Sequence, residues 1–388
     1  MSTSAPPTGA EHVQQVAPVA AGAPEVAVVG AGIVGLSTAY ALLERGVEVR
    51  VYEHGEPGNG QSGGVSRIFR HAHDDPRLVA AARASRAAYR EWGERLGVEM
   101  VSPDGAVAIG PAVDDHLPLL QDAGVAARRL DADELARRVP LLTGFDGPAM
   151  CDEEGGSIRT TATVAALSAA LGDRVVRDEV LAVRPLGGGP AGQRVEVRSG
   201  GRTDTYRRVV VCAGRGTPAL ARTLGLSLPV TQAAHVRLTF AVRGEAPGTL
   251  ATLQDSSGVF GETGVYAAAA PGNASYGVGL SQTTPARDDA SMPVPGGLDE
   301  LATRARDYVA RALPGLDPDP VDVRHCWVTT LPWSDDAMAV WEADGVLLPV
   351  GHNLYKQAPG LGRRLAAAAD GEGLEDWLRP EARLGLPG

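Results

Sequence analysis

Val26-Ala27-Val28-Val29 is an unbroken apolar run, the pattern of a strand buried on both faces. Leu36–Arg45 then carries apolar positions at helical spacing and stops at Gly46, a C-cap. Val47–Tyr52 is a second apolar run, closed by Glu53. Leu78, Ala82, Ser85, Tyr89, Trp92 and Leu96 recur at three- and four-residue steps, which predicts one face of a long helix packed on a core. Residues 131–139 predict another helix, with Asp131 as N-cap and Glu134 three positions on. Thr160–Leu171 reads as a helix. Arg174–Val176, Glu179–Arg184, Arg194–Val197 and Arg208–Cys212 read as strands, with Gly187-Gly188-Gly189-Pro190 as a turn between two of them. Residues 228–282 alternate apolar and polar over several short strands, which predicts an antiparallel sheet. A helix over 298–313, strands over Val321–Thr329 and Gly345–Gly351, and a helix over Leu361–Asp370 complete the pattern.

Between the first two apolar runs lies Gly30-Ala31-Gly32-Ile33-Val34-Gly35, with Glu53 23 residues after Gly30. Strand, glycine turn, helix, second strand and acid form a dinucleotide-binding unit. Gly30 permits the tight turn, Gly32 lets the backbone approach a pyrophosphate, and Gly35 lets helix pack on strand. The phosphates sit at the helix N-terminus, and Glu53 accepts from a ribose hydroxyl. Val209–Gly214 is again a buried strand running into a glycine, so nucleotide-domain character returns later in the chain.

Composition narrows the class. The 388 residues suffice for two to three domains. Forty-seven acidic residues against 36 basic ones give a net charge of −11, which excludes a nucleic-acid binder with a basic stripe. Three cysteines, Cys151, Cys212 and Cys326, are too few and too scattered for a disulfide framework or metal cluster, so a reducing, cytoplasmic setting is expected. Val26–Leu43 is 18 residues long and uncharged, yet its glycines fit the nucleotide turn better than a membrane span. Residues 1–24 read as a disordered tail. The first basic residue is Arg45, so neither a secretory leader nor a transit peptide is expected. Only one of the 36 basic residues is a lysine, Lys356.

Five segments together resemble the D-amino-acid-oxidase superfamily of FAD enzymes, in its monomeric sarcosine oxidase and N-methyl amino acid oxidase branch. They are Gly30–Gly35 with Glu53; Gly63-Gly64-Val65-Ser66-Arg67-Ile68-Phe69-Arg70-His71; Val209–Gly214; Arg324-His325-Cys326-Trp327 with Thr329-Thr330; and Gly351 followed by Lys356-Gln357-Ala358-Pro359-Gly360-Leu361-Gly362. The resemblance covers about residues 25–375. It implies an α/β fold: a discontinuous FAD-binding, Rossmann-like domain (25–90, 150–225 and 320–388) and an α+β substrate domain with an antiparallel sheet (91–149 and 226–319).

The resemblance also implies roles. Gly30, Gly32, Gly35 and Glu53 bind the ADP half of FAD, with Gly214 in the second nucleotide-type turn. Val180 faces the adenine through its backbone. Ser66 and Arg67 lie beside the flavin ring, and Gly360 and Gly362 near its pyrimidine end. Cys326 carries a thioether to the flavin's 8-methyl carbon. Arg70 binds the substrate carboxylate, assisted by Lys356, with Tyr355 preceding it. An arginine fork and a lysine point charge, read as lying on loops, suit an anion clamp.

The implied activity is oxidation of a small amino or imino acid, a secondary or cyclic amine, to an imine. Oxygen then reoxidises the flavin, giving hydrogen peroxide. A monomer without membrane or nucleic-acid partners is expected, in a specialised biosynthetic role. The sequence departs from the branch in one telling way. Where sarcosine oxidase has a second, oxygen-activating lysine, this chain has no lysine near Gly279. The histidine and tyrosine that flank the sarcosine site are replaced, at about Thr283 and Val328, so a substrate other than sarcosine is expected. Three alternatives stay open: an amine dehydrogenase with another acceptor, an NAD(P)H-dependent flavin hydroxylase, and a non-catalytic flavin-holding subunit.

Overall fold

The computed structural model describes residues 25–386 except 188–191 and 193. The expected tail over residues 1–24 and the turn over 187–190 fall outside it, Gly187 excepted.

Val26–Val29 is the centre of a six-stranded sheet. It pairs in parallel with Val49–Glu53 on one side and Arg208–Val211 on the other. Val175–Arg177 and Val346–Gly351 extend the sheet in parallel, and Met338–Ala343 closes one edge antiparallel. Helices cover one face and other elements the opposite one, which is why Val26–Val29 is apolar at every position rather than alternating.

Three helices pack as a layer: Ile33–Glu44, Pro76–Leu96 and Leu354–Ala367. The last begins seven residues before the predicted start at Leu361, so Lys356 sits in the first turn of a helix, not on a loop. Pro359 and Gly360 read as breakers. Pro359 lacks the N–H that would bond the Tyr355 carbonyl. Tyr89 from the neighbouring helix donates its hydroxyl to that carbonyl at 2.7 Å, and the helix continues.

The glycines that follow serve this packing. A Cβ on Gly360 would lie 2.6 Å from Ser85 Oγ, and one on Gly362 would lie 2.7 Å from the Ser37 backbone carbon. Both face neighbouring helices. Gly362→Ala is expected to cost about 1–3 kcal/mol by overpacking. A lowered Tm with unchanged flavin absorption would check this.

A second, larger sheet has nine strands, mostly antiparallel. Its longest members, Thr231–Val242 and Leu316–Thr330, pair along most of their length. The boundary expected at residue 320 therefore falls inside a strand, and the Cys326 segment belongs to this sheet rather than to the parallel one. The helix Gly297–Ala312 packs on the face turned away from the cavity. A two-stranded ribbon, Arg67–Phe69 with Gly156–Ile158, lies between the two sheets in sequence and carries Arg70 at its end. The capping box of Asp131 and Glu134 forms as predicted at Ala132–Arg138.

Candidate active site

A cavity of about 1460 Å³ is lined by the glycine turn and by the face of the larger sheet. It exceeds the roughly 300–1,000 Å³ of a pocket for one drug-sized ligand. At the turn, Gly30 has φ +99°, and a Cβ there would lie 2.5 Å from the Cys212 carbonyl oxygen. A Cβ on Gly35 would lie 1.9 Å from the Gly30 oxygen, so strand and helix meet only because both are glycine. Gly32 opens onto the cavity at the helix N-terminus, where the first turn carries no acid and Ile33 N–H donates to Ser62 Oγ at 2.9 Å. Glu53 accepts from Ala31 N–H at 2.8 Å and Gly55 N–H at 2.9 Å, which fixes its carboxylate at the cavity wall. Val180 and Gly214 line the same cavity. A helix N-terminus without an acid, a side-chain-free turn and a pinned acid fit a dinucleotide diphosphate and its ribose.

The sheet face follows from strand alternation. His235 and Arg237 stand opposite Cys326 and Arg324 in register. Arg237 also stands opposite Gly279, which in turn stands opposite Tyr266. Partners in register share a face, so one row reads Arg324, Arg237, Gly279, Tyr266. Gly279 carries no side chain because the Tyr266 phenol fills its space: a Cβ would lie 2.4 Å from the ring. Gly277 similarly leaves room for the Arg237 guanidinium, at 2.6 Å. Arg237 is buried and holds the Ser66 hydroxyl at 3.0 Å. Burial, with Arg67 nearby, pushes it down to about 10, so it stays charged at neutral pH. Ser66 is fully buried under these arginines.

Arg67 and Cys326 meet at the cavity. An Arg67 nitrogen lies 3.9 Å from Cys326 Sγ, and Arg67 is anchored on the Gly63 and Ser66 carbonyls. Gly63 and Gly64 are side-chain-free where the guanidinium groups of Arg324 and Arg67 lie over them. Burial pushes the Cys151 and Cys212 thiols up to about 12.

Arg70, Tyr355 and Lys356 also line the cavity. The Tyr355 hydroxyl donates to the Thr160 carbonyl at 3.2 Å. Lys356 is only 4% exposed and has no hydrogen-bond partner among the described residues. Burial, with Arg70 adding repulsion, lowers it to about 7; Asp336 pulls the other way.

Asp336 is the residue that sequence reasoning missed. Its Oδ2 accepts from Arg70 at 3.2 Å, and its Oδ1 accepts from Asn353. His73 Nδ1 lies 2.9 Å from Oδ2, too far off line to donate. Burial favours the protonated acid, but Lys356 and Arg70 outweigh it and hold Asp336 well below the usual carboxylate range. Burial lowers His73 to about 3 and His352 to about 4, so both are neutral. His235, Arg237 and Tyr266 were also missed. Their signal was a histidine and an arginine, His235 and Arg237, on one face of an alternating strand.

The family described as "DAO: FAD dependent oxidoreductase" matches residues 25–368. The chain belongs to this family. Its members in this comparison include glycine oxidase of Bacillus licheniformis, 25% identical over 87% of this chain and 91% of that protein. Monomeric sarcosine oxidase of Bacillus sp. (strain B-0618) is 28% identical over 31% of this chain and 33% of its own length. The chain spans between 33% and 42% of the first three curated relatives it matches. NikD, described as an unusual amino acid oxidase essential for nikkomycin biosynthesis, shares the fold in its open form. Its TM-score is 0.76, at 21% identity, covering 93% of this chain and 97% of that one. The α/β architecture expected from the sequence is thus the family's. Among the described residues, no helix is long and apolar enough to cross a membrane.

Proposed function

We propose that the chain oxidises the C–N bond of a small amino or imino acid, a secondary or cyclic amine, to an imine. One observation carries this reading: Arg70 and Lys356 bring two cationic groups to the cavity that the dinucleotide turn also lines. A carboxylate held there has its adjacent carbon fixed relative to the cofactor, which is the positional part of the catalysis. FAD, when bound, supplies the acceptor for two electrons and a hydrogen from that carbon. Gly30, Gly32, Gly35 and Glu53 would hold its ADP half, with Val180 and Gly214 alongside. Arg67 and Cys326 would lie against its ring, and Tyr355 would shape the substrate side.

Neutral His73 and His352 place no competing cation beside the amine. An amine that binds uncharged needs no separate base. Oxygen is the proposed final acceptor. The position expected for a cation, Gly279, is filled by Tyr266, but Arg237 supplies a fixed charge from the adjacent strand in register. A dehydrogenase using another acceptor is the second reading, favoured by the missing lysine at Gly279. Peroxide yield per substrate oxidised separates the two: near one for an oxidase, near zero for the alternative.

The reading includes a thioether from Cys326 and a monomeric protein in the cytoplasm, serving a specialised biosynthetic step. Acid precipitation of wild type is expected to leave yellow colour in the pellet, and of Cys326→Ser to release it to the supernatant. Colour released from wild type would remove the covalent link and leave the clamp untouched. A peroxide-coupled screen of N-methyl and cyclic amino acids is expected to yield at least one substrate.

A further inference from the structure

Asp336 has no place in the clamp as the sequence predicts it, yet its carboxylate is built into it. Arg70 donates to Oδ2 and Asn353 to Oδ1. The turn that carries it is tied down on several sides. Trp333 donates to the Leu384 carbonyl at 3.1 Å, Ala337 N–H to the Ser334 carbonyl at 3.2 Å, and His352 N–H to the Ala337 carbonyl at 3.2 Å. Gly351 stands opposite Met338 in the same hairpin, where a Cβ would lie 2.5 Å from the Ala337 oxygen. The carboxylate is therefore a fixed counter-ion rather than a swinging group.

We infer that Asp336 is a positioning residue for substrate recognition: it orients Arg70 and offsets one of the clamp's two cationic groups, so that the clamp presents at most one net positive charge to one substrate carboxylate. The inference rests on the carboxylate-clamp reading of the site. The groups around Lys356 are few. Arg70, at the end of the Arg67–Phe69 strand, repels its proton, and Asp336, from the turn before Met338, attracts it. His73 and His352 stand in the same cluster and are neutral, while Asp335 bears on His352.

Arg70 at +1 and Asp336 at −1 cancel, so the clamp's net charge is that of Lys356 and reaches +1 only as the lysine is protonated, which matches a monocarboxylate and disfavours a second acid on the substrate. Without Asp336, a buried lysine beside an arginine gives up its proton. Arg70 uses one nitrogen on Asp336, and its remaining donors are available to a ligand.

Two outcomes of removing this charge are physically opposed. If Asp336 merely occupies the substrate's place, its loss tightens carboxylate binding. If it positions the clamp, its loss weakens binding and lowers the Lys356 titration.

The single lysine makes the second measurement direct, because lysine labelled with 13C at Cε gives one resonance from the whole chain. The experiment titrates that resonance in the flavin-loaded wild type, Asp336→Asn and Asp336→Glu. Binding of cyclopentanecarboxylate, a carboxylate with no oxidisable amine, is followed in the same proteins by the change in flavin absorbance. Wild type is expected to titrate near 7 and to bind the carboxylate more weakly as pH rises past that point. Asp336→Asn is expected to titrate lower by about one unit or more and to bind about tenfold more weakly at neutral pH. Asp336→Glu, which restores the charge, is expected to return most of both.

An unchanged lysine midpoint, or tighter binding, in Asp336→Asn overturns the inference. Should Asp336→Asn not fold, Asp336→Glu against wild type still decides: an unaltered charge in a longer arm must keep the midpoint, and a fall of a unit or more contradicts the account. Failure of wild type to bind the carboxylate at all would instead overturn the clamp reading, and the inference with it.

Discussion

Arg70→Met raises the apparent dissociation constant of an amino acid substrate by about a hundredfold or more, with the flavin still bound. The arginine contributes a charge-assisted contact to a desolvated carboxylate, and truncating one member of such a pair costs about 2–5 kcal/mol. The same change leaves Asp336 without its Arg70 donor, so part of the loss is a charge imbalance rather than a missing contact. Flavin content is the control. Arg70, at the end of the Arg67–Phe69 strand, bonds Asp336 rather than the glycine turn or Glu53, the residues proposed to hold the cofactor's ADP half. The measurement is the change in flavin absorbance on adding substrate without oxygen. Unaltered binding in Arg70→Met sinks the clamp assignment.

Gly35→Ala has the second large effect, on the cofactor rather than the substrate. The added methyl would lie 1.9 Å from the Gly30 carbonyl oxygen, a backbone atom that cannot move without unmaking the turn. The turn is in turn pinned by Gly30 N–H, which donates to the Tyr52 carbonyl at 2.7 Å, and by Glu53 on Ala31. The variant is expected to be recovered without flavin or as insoluble protein. Gly46→Ala is the matched control, since nothing lies within 4 Å of its Cβ; its φ of +75° costs only local strain. Full flavin content in Gly35→Ala would refute the close helix–strand contact.

These two changes divide what the sequence revealed from what it hid. The dinucleotide turn was legible because its parts are close in sequence and each glycine has a steric reason. The helix at Lys356 was not. Pro359 and Gly360 signal an interruption locally, and the Tyr89 hydroxyl that rescues the freed carbonyl comes from 266 residues away. Gly360 and Gly362 carry the same composition signal as loop glycines, so only the Ser85 and Ser37 backbones reveal their packing role. Ser66 sits beside Arg67 in sequence but on the other side of the strand, where alternation turns it toward Arg237. Asp336 was invisible for a different reason: an acid in a short polar turn is ordinary, and its meaning depends on Arg70, 266 positions earlier. The lone lysine marked the right helix turn, and the count gave no hint of the carboxylate that shares its charge.

The central proposal is that this member of the FAD dependent oxidoreductase family selects an amine by its carboxylate. The most direct measurement is anaerobic flavin bleaching by a panel of N-methyl and cyclic amino acids, each tested beside its decarboxylated amine and beside NADPH. The account predicts that at least one amino acid bleaches the flavin rapidly while its amine partner and NADPH do not. Bleaching by NADPH with none from any amino acid, or equal bleaching by an acid and its decarboxylated partner, would contradict it.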